Sequence, residues 1–492
     1  MSQQFKNVFA RIKQGEKSAK LDKDIDSILI DVQSSKEGLN KFTAAMADSE
    51  MTAKMKQLWD DSGVERWDLA STGGVANITP IFGYLWLMVA AEETKNGEKK
   101  VVPKISTDGK GGGTIDILES GGLTFPSDPE AIFHKCMNDG GVICQQDENL
   151  TPIDKALMSR RRETNLMTNV YLTYASIISK KIAMRCTHAI IDVKLGRDTK
   201  ILSAWMNQLK DVKVEKLLKA FDKDTLVISD KESLKAFANV LQQLNIKTEE
   251  IDGDWIKQSL ENGNQQLSPL KEVRWLLTNA NIPQCRVIGR QLMLIHLDQL
   301  INGDDDLLKQ DNYKKLYCEV LPEICGCNDE QQWKLLINQW KKLKAQLPKF
   351  DDFPALKLFE KKDLELEKSY PVATDLQVIS FGLYPYHLAG KPVKITAMDV
   401  QFLDELFSWL CGSESSDPEV GIWLHKLPGE TVEIGEGKPQ NGAGWNDQRY
   451  LGICNKSQQP VISIFYRPSR NPESEVMAKV RQFLGKVEVE EK

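Results

Sequence analysis

The chain has 492 residues, 41% of them hydrophobic and 27% charged, which is enough for two or three lobes around ordinary buried cores. A formal net charge of −6 and a pI of about 5.7 exclude the global basic field that holds nucleic acid. Charges interrupt the stretch MSQQFKNVFARIKQGEK and no apolar run reaches the length of a membrane span, so neither a signal peptide nor a membrane partner is expected, and the protein reads as cytoplasmic.

Residues 1 to about 62 read as helical. Phe5, Val8, Phe9 and Ile12 recur at helical spacing, as do Ile25, Ile28 and Leu29, and Thr43–Met55 is rich in helix formers. Asp61-Ser62-Gly63 breaks the run. So short a segment needs a partner surface. The next stretch, Asp68 to Asn77, reads as a loop whose Gly73 and Gly74 would let backbone amides approach a ligand, with a helix over Ile81–Ala91 behind it. A strand-like Lys100-Val101-Val102 leads to a second glycine-rich loop, Ser106 to Thr114. This is no P-loop: Lys104 stands where its first glycine belongs, and Gly111 follows Lys110 where Ser or Thr is required. Two such loops, each feeding a helix, suggest a ligand on the scale of a phosphate or a sugar.

The stretch Asp154–Gly196 is read as a helix feeding a buried parallel strand, Ala189–Val193. Ser176 and Lys180, four residues apart, share one helix face. Ser176 can donate and accept, whereas Arg161 and Lys180 only donate, so together they could grip a ring that carries carbonyl oxygens. The plainer reading is a surface run, Arg160-Arg161-Arg162, and a solvated pair, Lys180-Lys181; spacing alone favours it. Residues from 197 to about 280 look like an insertion, with helix-like faces at Leu202–Val212 and Leu234–Leu244 and a strand or turn at Lys223–Ser229. Decoration is the slightly favoured reading; Trp255 and Trp275 beside many lysines would be the sharper one, a partner surface. Nine cysteines, odd in number and scattered, form no disulfide framework, and Cys318, Cys325 and Cys327 lack the spacing and the histidine of a zinc site. They are expected as reduced thiols, with no metal. His296, in the apolar stretch Leu292–Leu297, is expected to be packed in a core. A helix over Gln331–Leu347, a linker at Pro348–Pro354 and strands at Val372–Ile379 and Thr431–Ile434 complete the chain, with a frayed charged tail, Val487–Lys492.

Several fragments, in order, resemble the pyrimidine-nucleoside phosphorylase family, which includes thymidine phosphorylase. They are Ser71-Thr72-Gly73-Gly74-Val75, Gly112–Asp116 with Leu118-Glu119-Ser120, and Asn149-Leu150 with Pro152, Asp154 and Lys155. Ala175-Ser176, Ser179–Lys181, Asp192–Gly196, the set Pro283, Arg286, Ile288 and Gly289, and the hairpin-like Val420–Val432 continue the match. The resemblance implies an α/β protein: a small all-helical domain, a large α/β domain with a mixed sheet, and a C-terminal α+β subdomain. The helical domain would take residues 1–65 and 151–186; the α/β domain 66–150 and 187–350, with an insertion at about 198–280; the C-terminal subdomain 351–492. A homodimer through the helical domain is the implied assembly.

The resemblance also implies that Arg161, Ser176 and Lys180 hold the pyrimidine base. On the phosphate side, the family's lysine and histidine are replaced by Leu69 and Ala70, a serine falls on Pro80, and an arginine falls on Asp108. The linker from Gly63 to Trp67 is shorter than the family's. Ser71, Ser106, Lys110 and Thr114 remain to hold phosphate or sugar. No cofactor is implied, and phosphate is a co-substrate only in an active enzyme. The expectation is a protein that binds a pyrimidine base or nucleoside with phosphorolysis weak or absent. The alternatives are an active phosphorylase or pentosyl transferase, and a structural protein with a vestigial cleft.

Overall fold

The computed structural model describes residues 2–33, 42, 45–46, 53–73, 77–92, 99–107, 113–166, 170–195, 225–228, 270–279, 283, 285–302, 314–327, 332–359, 376–385, 392–412, 417–428, 430–433, 449–453, 461–484 and 487–491. The chain enters as helices α1 (Ser2–Lys13), α2 (Ala19–Gln33) and α3 (Ala53–Asp60). Phe5, Phe9, Ile25, Ile28 and Leu29 are all buried, as their spacing requires. The partner surface that these helices need is provided by α7 (Pro152–Glu163) and α8 (Val170–Ala183), against which α1 and α2 pack. Arg160 of α7 fastens the contact with a bond to Asp26 of α2 at 2.6 Å.

Six strands form the principal sheet: β1 (Glu65–Ser71), β2 (Lys100–Ser106), β3 (Gly141–Gln145), β4 (His188–Leu195), β5 (Thr225–Ile228) and β6 (Glu272–Asn279). Their order is β3-β2-β1-β4-β6-β5. All neighbours run parallel except β5, which lies antiparallel on β6. The sheet is therefore mixed, and the fold is α/β. The chain moves outward from β1 in one direction through β2 and β3, then in the other through β4 and β6. The switch lies between β1 and β4, and a crevice opens beyond the carboxyl ends of strands at such a point.

Helix α4 (Thr79–Glu92) is apolar on every side, and Thr79 through Ala90 are all buried, so it lies inside the core rather than on its surface. A Cβ on its Gly83 would collide with the side chain of Leu69 on β1, so the glycine lets helix and strand meet. Helices α5 (Thr114–Ser120), α6 (Pro129–Asp139) and α9 (Arg290–Asn302) complete the cover. Asp128 caps α6 by accepting from the Ala131 N–H at 2.9 Å, and Gly140 ends it at φ +82°.

Beyond β7 (Val287–Ile288) come β8 (Gln377–Pro385), β9 (Pro392–Ala397), β10 (Gly421–Leu424), β11 (Thr431–Glu433), β12 (Arg449–Ile453), β13 (Ile462–Tyr466) and β14 (Glu488–Glu491). They make a five-stranded sheet, β12-β8-β13-β10-β7, and a three-stranded sheet, β11-β9-β14. Gly421 and Gly289 allow the backbones of β10 and β7 to touch, since a Cβ on either would press on the other's carbonyls.

Five expectations change here. Gly63–Trp67 is no free linker: β1 starts at Glu65, and Arg66 is tied to the carbonyls of Arg185, Trp59 and Val64. The insertion ends earlier than 280, because Glu272–Asn279 pairs with β4 along its whole length and so belongs to the sheet. Val420–Val432 is not a hairpin: β10 pairs with β13 and β7, whereas β11 pairs with β9. Pro348–Pro354 is packed, with Phe350 and Phe353 buried against each other and Phe350 against Trp340. The tail does not fray at Val487: Glu488–Glu491 adds a strand to β9. Leu202–Val212, Leu234–Leu244 and Trp255 lie outside the described residues.

His296 is fully buried, edge-on to Trp423 at 5.7 Å between ring centres, and burial lowers its pKa to about 3. The described cysteines are all free thiols. Among the described residues no group of His, Cys, Asp and Glu could hold a metal, and no helix is long and apolar enough to cross a membrane.

Candidate functional site

Helices α7 and α8 and the carboxyl edge of the sheet meet at Asp154. This buried carboxylate accepts from Lys180 at 2.8 Å, from Ser176 at 2.9 Å and from Gln146 at 2.7 Å. Lys180 also donates to Ser176 at 2.9 Å, so the helix face predicted from a four-residue spacing is real, and it is buried rather than solvated. An ammonium carries three donors; the two bonds leave one N–H of Lys180 with no described acceptor.

Arg161 is buried as well. Its guanidinium donates to the Leu172 carbonyl at 3.2 Å and to the Thr173 hydroxyl at 3.1 Å. Both acceptors stand about one helical turn, roughly 5.4 Å, before Ser176. The turn that sends α7 back along α8 holds Asn165 in the left-handed region, at φ +58°. Burial lowers the Arg161 pKa, partly offset by the Asp154 charge.

Gln146 links this half of the site to the sheet. Its backbone N–H donates to the Ser106 carbonyl at 2.8 Å while its side chain holds Asp154. Ser71 ends β1, where it accepts from Asn77 at 2.8 Å. Thr114 opens α5. Among the described residues no hydrogen bond engages the hydroxyls of Ser106 and Thr114. Lys110 and Asp108 lie outside the described residues.

Leu69 and Ala70 are not loop residues, because β1 runs through Ser71. Leu69 is fully buried, its side chain turned toward Gly83 of α4. Its carbonyl, however, accepts from the ammonium of Lys104 at 2.6 Å. The sheet side of the cleft therefore does not lack a buried cation, contrary to the reading of Leu69 as a simple loss. Lys104 and Lys181 both face Asp68: Lys104 at 3.6 Å from Oδ1, and Lys181 in a short ion pair with Oδ2. A second buried pair, Asp192 with Lys194, lies across the switch point. Thr278 donates to Asp192 at 2.7 Å, and Thr72 accepts the Lys194 N–H at 3.1 Å.

Sequence reasoning missed Lys104 and Gln146. The available signal for Lys104 is a lysine inside an otherwise apolar strand, Val101-Val102-Pro103-Lys104-Ile105. Burial lowers its pKa to about 8, with Asp68 opposing the shift. The unfolded chain keeps this proton up to the ordinary lysine range, so above about pH 8 it binds a proton that the folded chain has released. Stability from this group therefore rises with pH over that interval. Urea titrations of wild type and K104M are expected to show the difference, wild type minus variant, climbing between pH 8 and 10. A flat difference would mean that Lys104 is not depressed.

A doubly wound, largely parallel sheet with a crevice at its switch point, capped by helices carrying buried cations, is an architecture for small polar ligands. The chain is 37% identical to a pyrimidine-nucleoside phosphorylase of Staphylococcus aureus (strain USA300) over 173 residues, 35% of this chain and 36% of the relative. It is 38% identical to a thymidine phosphorylase of Sinorhizobium medicae (strain WSM419) over 159 residues, 32% and 33% of the two chains. No family model matches. The chain thus spans about a third of the length of the curated relatives it matches, and over that third it is related to the pyrimidine-nucleoside phosphorylases.

Proposed function

We propose that the protein is a divergent relative of the pyrimidine-nucleoside phosphorylases that binds a pyrimidine base or nucleoside between α7–α8 and the carboxyl edge of the sheet. In this reading phosphorolysis is weak or absent, the protein is cytoplasmic, and it forms a homodimer through its helical domain. The observation that carries the reading is the buried cluster of Ser176 and Lys180 on Asp154, with Arg161 one turn away. Two cations and a hydroxyl suit a ring that gains electron density as a glycosidic bond breaks. Ala70 supplies no proton, and a positioned acid or base contributes roughly a hundred- to ten-thousand-fold in rate.

Isothermal titration with thymidine, uridine and the free bases tests this. Binding at millimolar ligand or tighter is expected. Losing one charged hydrogen bond, worth roughly 1.5–3 kcal/mol, should weaken it about ten- to a hundredfold in R161A or K180A. Absence of heat for every ligand at millimolar concentration removes the reading. A second reading, a surviving pentosyl transfer, is favoured by the unengaged hydroxyls of Ser106 and Thr114. Base release by the purified protein that requires Arg161 and Lys180 would establish it.

A further inference from the structure

At the end of the principal sheet opposite the cleft, the amino ends of β2 and β3 border a cavity of about 790 Å³. That is within the roughly 300–1,000 Å³ of small-molecule sites. Its other walls are the carboxyl ends of α4 and α6, residues 123–126 and a further helix, α10 (Gln332–Lys344). None of the motifs that carry the resemblance reaches it. Gly141, the first residue of β3, lets α4 close on the strand: a Cβ there would strike the Met88 sulfur and stand 3.0 Å from the Tyr84 hydroxyl.

Leu85, Leu123 and Leu343 make part of the lining apolar. Two buried polar side chains interrupt it, Tyr84 at 7% exposure and Gln339 at 3%. Burial raises the Tyr84 pKa, so the hydroxyl keeps its proton, and among the described residues no hydrogen bond engages it. The Gln339 amide nitrogen has no acceptor among the described residues either. Buried donors are costly to leave unmet, and oxygens on a bound molecule would meet these.

The rim is cationic. Lys99, Lys100, Lys135 and Lys342 line it against two carboxylates, Glu92 and Asp139. Both acids are already engaged, Glu92 by Lys342 at 2.5 Å and Asp139 by Lys135 at 3.1 Å. Lys99 donates to the Met137 carbonyl at 2.7 Å, and Lys100 lies over the Trp67 ring at 5.4 Å. Neither has a carboxylate partner among the described residues, so four lysines less two acids leave two positive charges beside an apolar wall.

We propose that this cavity binds a small organic anion, with its apolar body against Leu85, Leu123 and Leu343, an oxygen on the Tyr84 hydroxyl or the Gln339 amide, and a carboxylate or phosphate head on Lys99 and Lys100. The site does not rest on the pyrimidine reading, because the two lie at opposite ends of the sheet.

The probe is 8-anilinonaphthalene-1-sulfonate, an aromatic anion whose fluorescence rises when its rings leave water, titrated into the full-length protein. One saturable site per chain is expected, displaced by octanoate or by octyl phosphate and unaffected by thymidine. Displacement by only one of the two assigns the head group. K99Q/K100Q, which removes both unneutralised charges, should weaken the probe at least about tenfold. A91F, which fills the cavity from the half-buried Ala91 near the end of α4, should abolish binding. The proposal is overturned by the lack of a saturable site, by equal affinity in either folded variant, or by failure of both octyl anions to displace the probe. Displacement by inorganic sulfate as strong as by octanoate would show that no apolar body is needed, and displacement by thymidine would place the probe in the cleft; each overturns it too. Thymidine affinity is read separately by calorimetry, so either idea can fail alone.

Discussion

L69K is expected to lose roughly 3–5 kcal/mol of stability and to gain no phosphorolysis, because an uncompensated charge would be left in a buried, apolar contact. Leu69 is fully buried, and the space for its side chain exists because Gly83 of α4 carries no Cβ. The helix it faces is apolar throughout and offers no carboxylate in Thr79–Ala90. The residue's own carbonyl is already taken by the Lys104 ammonium, and Lys181 lies nearby on Asp68. A third ammonium would therefore meet two like charges and one acid. Urea unfolding at constant m-value measures the loss. A stable L69K with restored phosphate-dependent base release would show that the strand can turn its side chain into the cleft.

The helix-to-strand order of Asp154–Gly196 was legible because an apolar segment with helical spacing gives way to a short β-branched run. The Ser176–Lys180 face was legible for the same reason, but not its burial, since Asp154 and Gln146 come from other elements. Strand β6 hid because Glu272 and Arg274 make its amino end look like surface, and a long polar stretch precedes it. The Asp68 cluster could not be read at all. Its members come from β1, β2 and α8, with Asp68 and Lys181 113 positions apart in the chain, and only the fold brings them together. Arg161 illustrates the converse: spacing alone favoured a surface run, but the side chain is buried and donates to the Leu172 carbonyl and the Thr173 hydroxyl. The resemblance located motifs by order; it could not reveal that a buried lysine outside them stands at the backbone of the replaced residue.

D68N is expected to be the most damaging single change in the sheet core. It preserves size and one acceptor oxygen but leaves Lys104 and Lys181 without their carboxylate, and breaking a buried ion pair costs roughly 3–5 kcal/mol. The Ile105 N–H, which donates to Asp68, loses its charged acceptor as well. The loss should depend on pH in a defined direction. Without Asp68, the Lys104 proton leaves at a lower pH than in wild type, where it leaves at about 8. As pH rises toward that value the variant escapes part of its penalty first, so the stability gap narrows. The double variant D68N/K104M separates this cause from general damage to the strand. It removes one of the two orphaned ammonium groups, so it should be more stable than D68N alone, giving a coupling energy of about 0.5–3 kcal/mol. Simple additivity of the two changes would mean that Asp68 does not compensate Lys104.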